Sequence, residues 1–292
     1  VIGLQKLTFT NSADETLVIS YAKPYILQNL VGISDAPVEL LSTRGYQQDG
    51  QTPAGQYYQA RLVSFAVAVM GNTLAEVFES RRNLIKFLNP KETFSCVYQN
   101  DYTSVRFDCR IDSPPGFQPT QNNGGLLYQM CSIVVIADDP YLLDPEDTMV
   151  EMAIAEPLFR FPLIFTPDIR FSSLLNPDLI ITNIGDVETP VRIRIYGNTE
   201  NPVITNITTG EFIKVNQTVE SGKILEITTG YGDKRVEIID GTGVRTNAFN
   251  YIDLSSTFWQ LAVGPNRIEY SADNGVSSAP IYIYYSNRYV GV

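Results

Sequence analysis

The sequence predicts a mainly β protein of two domains, an α+β domain with one helix followed by a β-sandwich, and three observations carry that reading. The 292 residues are 44% hydrophobic and 11% aromatic but only 18% charged. Val, Ile, Thr and Tyr fill the runs between Gly, Asn and Pro clusters, a composition that suits pleated surfaces. One segment alone repeats apolar residues at helical spacing. The length exceeds the roughly 50–200 residues of a typical domain, so two cores are expected.

Leu4 to Phe9 and Glu15 to Ser20 read as a short hairpin about Asn11, Ser12 and Ala13. Ser42 to Tyr58, STRGYQQDGQTPAGQYY, is polar and rich in glycine. It is too long for a simple connector, so a mobile loop or an arm that touches a neighbour is expected there. Ala60 to Met70 is a strong strand, broken at Gly71 and Asn72. Thr73 and Glu76 have capping-box spacing, in which the hydroxyl accepts from the third backbone amide and the carboxylate reaches back to the cap amide. Leu74, Val77, Phe78, Leu84, Ile85 and Leu88 then recur as one apolar stripe, expected to pack on a sheet, and Asn89-Pro90 stops the helix. Thr93 to Tyr98, Ser104 to Asp112 and Leu126 to Ala137 are further strands, so residues 1–140 form an α+β domain.

From Asp138 to Glu156 the chain carries seven acidic residues, no basic one, and two prolines at 140 and 145. Residues 141–161 are therefore expected to be an acidic linker, separable by proteolysis. Residues 162–292 follow as a β-sandwich of nine short runs at roughly ten-residue spacing. The runs are Leu179 to Asn183, Val191 to Tyr196, Val203 to Asn206, Glu211 to Val215, Lys223 to Thr228, Arg235 to Asp240, Tyr251 to Leu254, Asn266 to Tyr270 and Ile281 to Tyr285.

Composition excludes whole classes of function. The chain has no histidine, which removes Ser-His-Asp, Cys-His and zinc-hydrolase chemistry, so no catalytic, cofactor-binding or metal-ligating residue is assigned and no cofactor is expected. Cys96, Cys109 and Cys131 lack metal spacing and read as small buried apolar residues of a chain made in a reducing cytoplasm. No run approaches the ~18 apolar residues of a membrane span, and the start VIGLQKLTF lacks the regions of a signal peptide, so a soluble, unexported chain is expected. The net charge is −11, divided as −3 over residues 1–140 and −8 over 141–292, with no basic patch for nucleic acid.

The remaining candidates have plain readings. Asp138, Asp139, Asp144, Glu146 and Asp147 lack the positional pattern of a calcium loop and read as solvated acids. Trp259 lies among apolar residues, where a core position outweighs stacking on a sugar. Gly230 with Gly232 and Gly241 with Gly243 open no helix and read as hairpin turns. The sequons at Asn206 and Asn216 have no secretory route to serve them. Glycoside hydrolysis by a carboxylate pair stays open as the one chemistry left, although no spacing identifies such a pair.

The run LSTRGYQQDGQTPAGQYYQARLVSFAVAVMGNTLAEVFESRRNLIKFLNP resembles the first domain of siphophage distal tail proteins: a polar glycine loop, an arginine opening a strand, then a capped helix ending in Leu-Asn-Pro. DCRIDSPPGF and the run Asp139-Pro140-Tyr141 look like that domain's exit. ITNIGDVETPVRIRIYGNTENPVITNITTGEFIKV is similar to the family's C-terminal sandwich, with Asn183, Gly185, Asp186, Gly197, Asn201 and Pro202 in order, and LAVGPNRIEY resembles a further signature. The resemblance implies a tail-tube-like first domain and a galectin-like second, with the last few residues candidates to return to the first. It implies a structural, non-enzymatic component of a phage tail tip, part of the virion's baseplate, assembled from subunits made in the host cytoplasm. That role is a homohexameric ring joining the tail tube protein to the tail-tip hub, with receptor-binding proteins as further partners. Neither stable nucleic-acid binding nor membrane insertion belongs to it. An acidic ring gives DNA a repulsive wall to pass. The competing reading is a carbohydrate-binding module attaching a phage or bacteriocin tail to host surface polymers; aromatic residues clustered on one sandwich face would favour it.

Overall fold

The computed structural model describes all residues except 1–3, 118–123, 126, 153–154, 158–171, 175–177 and 275–279. It divides into two compact units, Val1–Pro145 with Tyr289–Val292, and Glu146–Arg288. The architecture is mainly β, with one α-helix among the described residues.

In the first unit the strands Thr16–Ile19, Lys6–Thr10, Thr93–Gln99, Ser104–Gly116, Tyr128–Ala137, Arg61–Met70 and Tyr25–Val31 lie side by side in that order. A bridge between Ser20 and Ile26 links the two ends of this order, so the sheet curls toward itself. Alternation sends Leu7, Phe9, Val63, Phe65, Val67, Phe94, Cys96, Phe107, Ile133 and Val135 inward. Phe9 stacks on Phe65 at 5.7 Å between centroids and meets Phe94 edge-on at 6.4 Å. The three cysteines are buried free thiols. Desolvation pushes Cys109 and Cys131 up to about 12 and Cys96 in the same direction.

The helix Leu74–Phe87 begins as its sequence requires, with the Thr73 hydroxyl accepting from the Glu76 amide at 3.2 Å. The Glu76 carboxylate reaches back one residue further than expected and takes the Asn72 amide at 2.7 Å. The apolar stripe proves to be two. Val77, Leu84 and Leu88 are buried, whereas Leu74, Phe78 and Ile85 are about half exposed. At ~100° per residue the second set is centred about 80° around the helix from the first, so a helix lying on one sheet cannot bury both.

In the second unit Thr148–Met152, Ile281–Tyr285, Val191–Tyr196, Ile224–Thr228, Arg235–Ile239 and Arg245–Asn247 form a six-stranded antiparallel sheet. Asp178–Asn183, Gly264–Ser271, Val203–Asn206 and Glu211–Lys214 form a four-stranded one. Ile193, Ile195, Leu225, Ile227, Ile281 and Ile283 of the first sheet share a core with Ile181, Ile204, Ile213, Ile268 and Tyr270 of the second, which makes a sandwich. The run Tyr251 to Leu254 is not a strand: a 3-10 turn occupies Phe249–Tyr251, fixed by the Asn247 side chain accepting from the Phe249 amide at 2.8 Å. Within 141–161, Leu142–Leu143 pairs with Ser104–Gly116 and Thr148–Met152 is an edge strand of the six-stranded sheet.

Candidate assembly surface

Ser42 to Tyr58, read from sequence as a loop or arm, folds as most of a hairpin of Val38–Thr43 and Thr52–Tyr58 that pairs with nothing else. Gly50, at a φ of +80°, and Gln47, at +57°, turn the chain between the strands. Nearly every side chain on both strands is exposed, including Leu40 at 71%. A two-stranded ribbon with neither face covered is marginal in water. Each of its strands also keeps an open edge.

What holds the arm is its root. Arg61, wholly buried, opens the strand that follows the arm. Its guanidinium donates to the carbonyls of Gly32 at 2.8 Å, Ile33 at 3.1 Å and Asp35 at 3.0 Å, just before the arm. It also donates to Pro140 at 2.7 Å and to Val290 at 2.5 Å, 229 residues away. Burial pulls its pKa below the ordinary guanidinium value, and the charge of Asp35 opposes the shift. Carbonyl dipoles, not a bonded carboxylate, solvate this cation. Higher on the arm, Tyr57 donates to Glu39 at 2.6 Å, and that bond with one from Gln59 holds the Glu39 carboxyl below its usual value. The root is therefore rigid and the blade bare.

The residues singled out in the sequence are dispersed. Asp138 pairs with Arg110 at 2.9 Å, Asp144 accepts from Tyr289 at 2.9 Å, and Asp147 accepts from Ser286 at 2.8 Å. No cluster of His, Cys, Asp or Glu fit for a metal occurs among the described residues. Trp259 is buried in the sandwich and its indole donates to the Ile204 carbonyl at 3.4 Å. Gly232 and Gly243, both at positive φ, sit in the turns that join Ile224–Thr228 to Arg235–Ile239 and the latter to Arg245–Asn247. Asn206 is buried and its side-chain oxygen accepts from the Thr208 amide at 3.1 Å. No described helix is long and apolar enough to cross a membrane.

The family model of the siphovirus-type tail component, C-terminal domain, matches residues 184–289. No curated protein matches the chain by sequence. By structure the chain is similar to the Dit protein of phage SPP1, whose description calls it a paradigm of hub adsorption apparatus in Gram-positive infecting phages. The two share 13% identity at a TM-score of 0.66 over 97% of this chain and 98% of that one. It is similar as well to chains of the phage P2 baseplate in its activated conformation. With Ca the match has 13% identity and a TM-score of 0.57 over all of both chains. With Sr it has 13% identity and a TM-score of 0.58 over 99% of this chain and all of that one.

Proposed function

We propose that this chain, which carries a siphovirus-type tail component domain and the distal tail protein fold, forms a closed ring of six copies through its first unit. The chain is a structural component of the phage tail and baseplate, and so of the virion. The ring would join the tail tube protein to the tail-tip hub, with receptor-binding proteins as further partners. The chain would act as a scaffold without chemistry of its own, and its net charge of −11 would keep the channel from holding DNA.

The single observation that carries the ring is the bare arm on its anchored root. A closing ring needs a heterologous contact, one patch meeting a different patch of the next copy. The first unit offers two, the arm with Val38, Leu40 and Leu41, and the helix flank of Leu74, Phe78 and Ile85, all exposed. Light scattering of the purified chain is expected to give a hexamer's mass, and Leu40→Asp is expected to give monomers that melt at the parent temperature. A strictly monomeric parent at high concentration, with tube protein present, removes the ring. A variant that still assembles removes the arm from it.

A further inference from the structure

The outer face of the six-stranded sheet carries a row of side chains that the ring does not use. Antiparallel pairing sets Glu151, Tyr282, Arg194, Glu226, Glu237 and Asn247 side by side across all six strands. At ordinary strand spacing that row is about 24 Å long. The residues that alternate with it, such as Ile193, Ile283 and Leu225, are buried in the core, so the row points away from it.

Most solvent-facing rows hold independent, mobile side chains. This one is tied together. Glu226 is only 4% exposed, yet it accepts from Arg194 at 2.5 Å and from Arg245 at 2.6 Å, and Arg245 also holds Glu237 at 2.8 Å. Beside it the guanidinium of Arg192 lies 4.7 Å from the Tyr284 ring centroid and that of Arg194 lies 5.5 Å from it. The rings of Tyr196 and Tyr282 meet edge-on at 5.5 Å.

Immobilised groups have a chemical use. Arg194 spends its Nε on Glu226, and its two terminal nitrogens have no hydrogen-bond acceptor among the described residues. Fixed donors next to carboxylate acceptors can take both ends of a pair of neighbouring hydroxyls, and tyrosine rings offer an apolar face to the C–H side of a sugar. Charge selects among ligands of this kind. Arg192, Arg194, Arg235 and Arg245 stand against Asp147, Glu151, Glu226, Asp233 and Glu237, close to balance, in a chain of net −11. An anionic polymer therefore meets no excess of positive charge and a repulsive surround. A protein partner would need a core poor in charge, the reverse of this row.

We propose that this face of the sandwich is a binding site for a neutral oligosaccharide, held by the Arg194 and Glu237 side chains and the Tyr196 and Tyr282 rings. The proposal goes beyond the ring and does not depend on it.

The test applies the purified full chain to an array of immobilised neutral hexose and N-acetylhexosamine oligosaccharides, beside polymers bearing phosphate or carboxylate, and titrates hits by calorimetry. Saturable binding of a neutral oligosaccharide is expected. Tyr282→Ala and Arg194→Lys should each weaken it at least about tenfold. Tyr231→Ala, an exposed ring elsewhere on the same unit, should leave it unchanged. If Arg194→Lys lowers the melting temperature, Tyr282→Ala carries the test. No binding of the neutral probes at millimolar concentration overturns the proposal, as does binding confined to the anionic polymers or insensitive to both variants. Dissociation of an oligomer by Tyr282→Ala would make the face a contact between copies and overturn it equally. The ring is read separately through Leu40→Asp, so either idea can fail alone.

Discussion

The hairpin of Ile224–Thr228 and Arg235–Ile239 commits one face to a core and ties the other into ion pairs, whereas the arm of Val38–Thr43 and Thr52–Tyr58 commits neither face to a core and touches the rest of its unit near its root, where the Tyr58 ring meets Tyr141 edge-on at 5.7 Å. Both are antiparallel pairs with glycine-bearing turns. The difference lies in patterning. ILEIT and RVEII place aliphatics where alternation can bury them, while VELLST and TPAGQYY put Leu40 and Leu41 in sequence and face them with small and polar residues. A hairpin without a committed face is stable only through what anchors or covers it, and here the anchor is Arg61.

Removing that anchor should produce the largest effect. Arg61→Met leaves five carbonyls, one buried and four partly buried, without this donor and is expected to destabilise the first unit by about 3–5 kcal/mol. Thermal unfolding should show that loss, with amide exchange rising first at residues 32–35 and 290. A variant that melts within a degree of the parent would mean that the arm's root needs no buried cation.

The two helix stripes give an intermediate contrast within one element. Leu84→Ala should cost about 2–5 kcal/mol because that side chain is wholly buried, while Phe78→Ala should stay within about 1 kcal/mol in the unassembled chain. Equal losses measured by urea unfolding would place Phe78 in the core after all. If Phe78→Ala lowers the oligomer mass instead, the flank joins the arm as an assembly surface.

The smallest effect is a pH dependence in the second unit. Burial raises the Glu226 carboxyl, but the hydrogen bonds and charges of Arg245 and Arg194 outweigh it, so its pKa is lowered on folding. Stability from this group is therefore present above the unfolded-state value of about 4.3–4.5 and is lost as pH falls through the lower folded value. Acid unfolding of the parent should steepen below about pH 4.5, and Glu226→Gln should flatten that limb while lowering stability at neutral pH. Identical acid limbs for parent and variant would show that the ion pairs contribute nothing there.

Much of this architecture is legible in the sequence because local chemistry agrees with it. VRIRIY and IYIYY alternate cleanly and pair as strands of the predicted lengths, and Thr73 caps the helix as its spacing requires. The arm was visible as a segment with no partner but not as a hairpin, since its glycines, proline and glutamines are poor strand formers. The stripe misleads because a list of apolar positions does not show which 80° of a helix meets the sheet. Thr148–Met152 hides in an acidic, proline-flanked stretch because it is an edge strand, where charge is tolerated. The row from Glu151 to Asn247 was invisible, because it exists only once six strands from distant parts of the chain take register.

Arg61 also sets an order of events during synthesis. Its partners at 32–35 and 140 emerge early, but Val290 follows 229 residues after the arginine, an interval of about 10–50 s at ordinary elongation rates. Through that interval the growing chain holds a nearly finished first unit with one guanidinium nitrogen still lacking its protein acceptor. The fold of this unit is sealed by residues translated after the entire second unit. The last of the arginine's five acceptors is thus in place only after both units have been made, and subunits cut short by premature termination would arrive at assembly with an unsealed arm root.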